Sequence, residues 1–165
     1  NRARAQPSSG GRPTTPLSRS DAARPTIVID SREQEPYSFD PRLASTVRRA
    51  LPAGDYSLDG LEDQVAVERK TLDDFVSTVI HRRRRFREEL RKLSQYRAAC
   101  VVVEAELLDV LAKRYRGEAR PAAVVGSTLS ILLDYGVPVV FCGNRQAARH
   151  FTQAYLLAAW KRWGQ

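Results

Sequence analysis

The sequence predicts an α/β sandwich, a mixed central sheet flanked by helices, and three observations lead there. Short β-branched or apolar runs, such as Thr26–Asp30 (TIVID) and Ala98–Val103 (AACVVV), have the length of buried strands. Segments with helical spacing alternate with such runs through the second half of the chain, the pattern of helices laid over a sheet. The 165 residues, 42% apolar and 28% charged, suffice for a single domain with one core.

Residues 1–24 mix Pro, Ser, Gly, Thr and Arg with almost no large apolar side chain. Such a segment cannot bury enough surface to offset its ordering entropy, so a flexible basic tail is expected there, with the domain itself over 25–165. Thr26–Asp30 reads as a buried strand, and Ser31–Pro41, carrying Pro36 and Pro41, as a loop. Thr46–Ala50 and Tyr56–Leu58 are short strands separated by Pro52-Ala53-Gly54, and Val65–Arg69 is another. One long amphipathic helix is expected from about Leu72 to Tyr96, capped by Thr71, with Asp73 and Asp74 in its first turn. Its apolar side is Leu72, Phe75, Val76, Val79, Phe86, Leu90 and Leu93. Ala98–Val103 is apolar throughout and suits a central strand covered on both faces. Glu106–Tyr115 and Ala122–Tyr135 read as helices, Val137–Cys142 as a strand, and Gln146–Trp163 as a closing helix.

The balance of 27 basic and 19 acidic residues gives a net charge of +8, which favours an anionic partner, nucleic acid first. Apolar runs stop far short of the roughly 20 residues a membrane span needs, so no membrane is expected. No basic-then-apolar leader opens the chain, and an intracellular location is expected, cytoplasmic in a bacterium or archaeon and nuclear in a eukaryote. The absence of Met leads us to expect a fragment. Cys100 and Cys142 read as buried thiols of a reducing compartment, and with His81 and His150 they lack the spacing of a zinc site.

The chemistry is concentrated in Gly54-Asp55-Tyr56, Val67-Glu68-Arg69-Lys70 and Asp74. Strand alternation puts Glu68 and Lys70 on one face and Arg69 on the other. An acid-x-Lys pair beside a second acid is what phosphodiester hydrolysis asks for: carboxylates hold a hard divalent cation, and a lysine positions the nucleophile or neutralises developing charge. An acid-x-Lys triplet alone is commonplace on a solvated surface. The glycine-preceded Asp55 and the downstream Asp74 make this one specific.

Gly54-Asp55-Tyr56 followed by Glu68-Arg69-Lys70-x-x-x-Asp74 resembles the signature of the XPF-type structure-specific endonucleases, the group that includes the Mus and archaeal Hef nucleases. Ile29-Asp30-Ser31-Arg32-Glu33 is similar to the Asp-x-Arg-Glu segment that opens the domain in that family, and Val101-Val102-Val103-Glu104 to its apolar strand ending in Glu. The resemblance covers roughly residues 26–160. It implies a restriction-endonuclease-like fold, dependence on Mg2+ or Mn2+, and incision of branched DNA such as flaps, forks or nicked junctions in repair or recombination. Carried over by position, it implies catalytic roles for Asp30, Asp55, Glu68, Arg69, Lys70 and Asp74, with Asp30, Asp55 and Glu68 facing the metal. Arg32 would support the phosphate, and Glu33 and Glu104 would stand behind the metal-facing acids. The tandem helix-hairpin-helix repeats and helicase region found in family members are absent from these 165 residues.

Arg82, Arg83, Arg84, Arg85 and Arg87 form a basic stretch midway along the long helix. They read either as a solvated face with Glu88 and Glu89 as intrahelical partners, or as a sequence-blind strip contacting phosphates. The apolar residues of the closing helix read mostly as core packing, with Trp160 and Trp163 alternatively candidates for a dimer interface, homodimeric or heterodimeric, as similar nuclease domains dimerise. Two other functions stay open: a catalytically silent DNA-binding or dimerisation scaffold, and a nuclease of plain duplex DNA or RNA.

Overall fold

The computed structural model describes residues 23–164, so the expected tail lies almost wholly outside the described residues. Six strands form one mixed sheet: β1 (Thr26–Asp30), β2 (Ser45–Arg49), β3 (Tyr56–Leu58), β4 (Val65–Lys70), β5 (Ala98–Val103) and β6 (Val139–Phe141), in the order β2-β1-β3-β4-β5-β6. β3 runs antiparallel to both β1 and β4, while β2–β1, β4–β5 and β5–β6 are parallel. This is the mixed sheet flanked by helices that the sequence led us to expect.

Strand alternation sorts the core into two layers. Ala66, Val101 and Val103 face a cluster built on α1 (Leu72–His81), α2 (Arg83–Ser94) and α4 (Pro121–Tyr135). Val65, Val67, Cys100 and Val102 face the other side, against α5 (Arg145–Trp163). Being covered on both faces, β5 can be apolar throughout. The edge strand β2 is exposed along its whole length, and its Arg48 and Arg49 give that edge a charged character.

Local signals fix the helix ends. The Thr71 hydroxyl accepts the Asp74 N–H at 3.2 Å, and Asn144 accepts the Ala147 N–H at 2.8 Å, capping α1 and α5. Pro121 opens α4, and Gly136 closes it in the left-handed conformation at φ 66°.

Two expected helices are corrected. The helix over Leu72–Tyr96 is two helices, interrupted at Arg82 with φ −112° and ψ 31°. The apolar side continues across the break through Phe86, Leu90 and Leu93, all buried in the same core cluster as Phe75 and Val79. The helix over Glu106–Tyr115 shrinks to α3 (Leu107–Leu111), followed by turns in which Lys113 adopts φ 54°. Arg114 N–H there returns to the Asp109 carbonyl, ending the helix.

Candidate active site

Gly54 makes the turn that delivers the first acid. Its φ of +76° is a conformation L side chains rarely adopt, and a Cβ there would lie 3.0 Å from the Cβ of Ala66 and 3.2 Å from the Val67 carbonyl. Two backbone bonds flank the turn: Asp55 N–H donates to Val67 O at 2.9 Å, and Asp30 N–H donates to Asp55 O at 2.8 Å. Asp55 is thus held between β1 and β4. Its Oδ2 accepts the Arg69 N–H at 2.7 Å.

On β4, Glu68 and Lys70 share the face toward α1 and α2, and the Lys70 ammonium lies 3.3 Å from Glu68 Oε1. Both side chains are largely buried, and Lys70 Nζ stands 6.0 Å from the Phe86 ring centre. Asp55, Glu68 and Lys70 line two contiguous hollows. The first, of about 290 Å³, extends to Asp30, Arg32, Arg85 and Glu89. The second, of about 270 Å³, extends to Glu33, Arg69 and Asp74. Arg82 and Thr78 border both.

Burial raises the pKa of Asp55, helped by the charge of Glu33 and opposed by the Arg69 N–H and Lys70. Glu68 is raised by burial first and then by Asp55 and Glu89, with Lys70 opposing. Two crowded acids that resist ionisation are short of positive charge. Their oxygens are the hard donors that Mg2+ or Mn2+ takes, so the pair fits such an ion. Among the described residues no three His, Cys, Asp or Glu side chains converge as a full metal cage. Mg2+ does not need one, since it commonly keeps several waters and binds through one or two carboxylates.

The other sequence-derived candidates are placed as follows. Asp30 borders the first hollow, but its carboxylate is occupied: Oδ1 accepts the Leu51 N–H at 2.9 Å, and Oδ2 accepts Arg32 Nε at 2.9 Å. Arg32 is otherwise exposed and also donates to the Leu51 carbonyl. Arg69 points to the opposite sheet face from Glu68, into a buried network with Glu33 and Glu104. Burial works against its charge, and those two carboxylates more than restore it. Arg145 closes the network from α5, 3.6 Å from Glu104 and 4.8 Å above the Tyr37 ring centre. Asp74 is exposed at the start of α1 and reaches the second hollow.

The arginine stretch divides. Arg82 and Arg85 border the acids, whereas Arg83 and Arg87 line a separate groove between α2 and α4. Arg84 shares hollows with its neighbouring arginines and Glu88. Glu89, which the sequence suggests only as a helix-surface partner for those arginines, belongs to the cleft. Its Oε1 accepts the Gly54 N–H at 3.0 Å. Nothing local marks it; the only hint is that it lies one residue from Leu90 and three from Phe86, at the margin of the buried stripe.

Against known proteins, the ERCC4 domain model matches residues 29–155. XPF from Aeropyrum pernix, solved alone and in complex with DNA, superposes with a TM-score of 0.64 in both cases, at 24% and 25% identity, over 84% of this chain and 66% of that one. A Methanocaldococcus jannaschii protein named as a putative ATP-dependent RNA helicase, MJ1505, is 32% identical over 120 residues, 73% of this chain. The chain spans only 14% of that relative's length, and slightly under two thirds of the solved XPF chains. The sheet is the restriction-endonuclease-like sheet of the XPF nuclease. With the strands that carry the acids and the helices that cover them inside the match, the chain belongs to the ERCC4 domain family.

Proposed function

We propose that this chain is a divalent-metal-dependent DNA endonuclease domain acting on branched DNA. The observation that carries the reading is the convergence of Asp55, Glu68 and Lys70 on one cleft bordered by Arg32, Arg82 and Arg85. Asp55 and Glu68 would hold Mg2+ or Mn2+, which when bound polarises the scissile phosphate and acidifies a water. Asp30 keeps Arg32 in place and the Leu51 loop closed behind the acids, a supporting role for its occupied carboxylate. Arg32, Arg82 and Arg85 attract and orient the phosphodiester backbone. Lys70 lies where it can orient the attacking water and offset the charge that builds on the phosphate as the new P–O bond forms and the old one breaks. Arg69, held by Glu33 and Glu104, braces β4 from behind, and Asp74 stands at the far side of the metal-facing pair.

DNA as substrate is supported by the solved complex of XPF from Aeropyrum pernix with DNA, and by the net charge of +8. The test is cleavage of a labelled panel (3′-flap, 5′-flap, fork, nicked junction, duplex, single strand and matched RNA flaps) with Mg2+, Mn2+ or chelator. Metal-dependent cuts near a DNA branch, lost in Lys70→Ala, are expected. Cutting of plain duplex or RNA alone would overturn the substrate class, and folded protein that cuts nothing would favour the scaffold reading.

The same proposal includes self-association, through a different surface from the tryptophans. Trp160 and Trp163 pack onto the domain's own core, with Arg97 stacked on Trp163 at 5.5 Å. Leu129, Leu132 and Leu133 of α4 are exposed, Leu133 at 76%, beside exposed Leu107, Leu108 and Leu111 of α3. α4 thus carries an apolar stripe on its outer side besides the Val124 and Ile131 of its core side, and a clustered exposed apolar stripe marks an interaction surface. A second copy of this domain is the occupant we assign to that face.

A further inference from the structure

Resting on that reading of the cleft, we infer that Glu89 is a positioning residue, a latch that fastens the arginine-bearing helix α2 to the turn presenting Asp55. Four observations carry it. Glu89 Oε1 accepts the Gly54 N–H at 3.0 Å across 35 residues of sequence. Gly54 admits no side chain, since a Cβ there would meet Ala66 and Val67 and its φ is positive, so its N–H is presented by a turn that only glycine makes. The following residue, Asp55, is tied to the β4 backbone on both sides, through Val67 O and the Arg69 N–H. Glu89 itself is half-buried and lines the same hollow as Asp55, Glu68 and Arg85.

The consequence is mechanical. α2 begins at the break on Arg82, and the Arg82 side chain makes no capping bond there. The first half of the helix is held by the burial of Phe86 and Leu90 and by Arg83 Nε donating to the Val79 carbonyl at 3.1 Å, and apolar burial, being non-directional, fixes depth better than sliding or rotation. A hydrogen bond from a fixed backbone N–H to a carboxylate is directional and charge-assisted. One turn before Glu89 on the same helix stands Arg85, so the latch sets where that guanidinium stands relative to Asp55 and Glu68. The two carboxylates and the phosphate-orienting arginine are held in a single geometry by a residue that needs no contact with the reacting atoms.

The test compares Glu89→Ala, which removes the acceptor, with Glu89→Gln, which keeps an oxygen acceptor and removes the charge. Amide hydrogen exchange of Gly54, read by NMR, reports the latch without any substrate. Single-turnover cleavage of a flap with saturating Mg2+, with DNA Kd measured alongside, reports its effect on chemistry. We expect Glu89→Ala to lower Gly54 protection at least about tenfold and the cleavage rate about 10- to 100-fold, the size seen for outer partners of a metal site, with Kd nearly unchanged. Glu89→Gln should restore most of both. Wild-type protection and rate in Glu89→Ala would overturn the latch. A Glu89→Gln protein as slow as Glu89→Ala, with Gly54 still protected, would overturn it in favour of a role for the charge. If the wild type cuts nothing, the nuclease reading fails while Gly54 exchange still decides the latch.

Discussion

The side chain of Asp55 accepts the backbone N–H of Arg69, at 2.7 Å, so the first acid of the cleft is fixed to the strand that carries the second. The bond uses one oxygen, Oδ2, and leaves Asp55 bordering the hollow beside Glu68 and Lys70. It also explains why a turn fourteen residues away in sequence arrives at β4 in a fixed position. The β3–β4 hairpin brings the chain back, and the side chain then locks the register.

Asp55→Asn should abolish cleavage and spare the fold. An asparagine oxygen can still accept the Arg69 N–H, but a neutral amide is a poor ligand for a hard cation. The single-turnover rate should fall by more than about 100-fold, beyond what losing an outer partner of a metal costs. Melting temperature and DNA affinity should stay close to wild type. Substantial activity in this variant would remove Asp55 from the site.

Much of this arrangement is legible in the sequence. The Gly-Asp and Glu-Arg-Lys segments border or lie on strands, and a period of two already separates Glu68 and Lys70 from Arg69. The short β-branched and apolar runs, with the turn signals between them, locate all six strands to within two residues, and in the central strands burial on both faces leaves little room for polar residues. The break at Arg82 is not legible, because the apolar spacing of Phe75, Val79, Phe86 and Leu90 tolerates a kink without losing its stripe. Glu89 escapes for a related reason: its partner is a backbone N–H far away in sequence, which no local pattern encodes. The occupied carboxylate of Asp30 is likewise tertiary, made by a loop that returns Leu51 to it.

The crowded carboxylates predict a stability that depends on pH and metal. Unfolded, Glu68 titrates in the ordinary carboxylate range; folded, burial and then Asp55 raise it. Folding thus favours the protonated acid, and stability is fullest below the ordinary carboxylate range. It declines as pH rises through the gap between the unfolded and folded values, then levels off once both states are ionised. In chelator, Glu68→Gln should therefore melt above wild type at pH 8, by on the order of 2–4 °C, and the advantage should vanish near pH 4. Millimolar Mg2+ should raise the wild-type melting temperature at pH 8 and leave Glu68→Gln nearly unmoved. Scanning fluorimetry over pH, with and without metal, checks both; a wild type that gains stability between pH 5 and pH 8 in chelator would contradict the sign.

The division of the arginine stretch predicts unequal effects. Arg82 and Arg85 border the acids, whereas Arg83 and Arg87 line the groove toward α4. Arg82→Ala with Arg85→Ala should weaken duplex binding and reduce the slope of log K against log salt by about 1–2, roughly one unit for each phosphate no longer neutralised. The Arg83→Ala, Arg87→Ala pair should change that slope far less. Fluorescence anisotropy titrations across salt concentrations distinguish them, and equal slopes in both pairs would mean that the whole stretch acts as a diffuse field.

The exposed leucines of α4 predict an assembly that a single charge can break. Leu129, Leu132 and Leu133 carry no structural burden within one copy, since the core side of the helix is supplied by Val124 and Ile131. Leu133→Glu therefore puts a charge into solvent in the monomer and costs the fold little. In a dimer sealed by that face, the same charge would be desolvated without a partner, a penalty large enough to dominate an interface of ordinary size. Sedimentation velocity should show a concentration-dependent dimer for wild type and a monomer for Leu133→Glu, both with the same far-UV spectrum. Trp163→Ala should leave association unchanged, as that ring packs on its own domain. A monomeric wild type at tens of micromolar would refute the interface, and a dimer lost in Trp163→Ala but kept in Leu133→Glu would move it to α5.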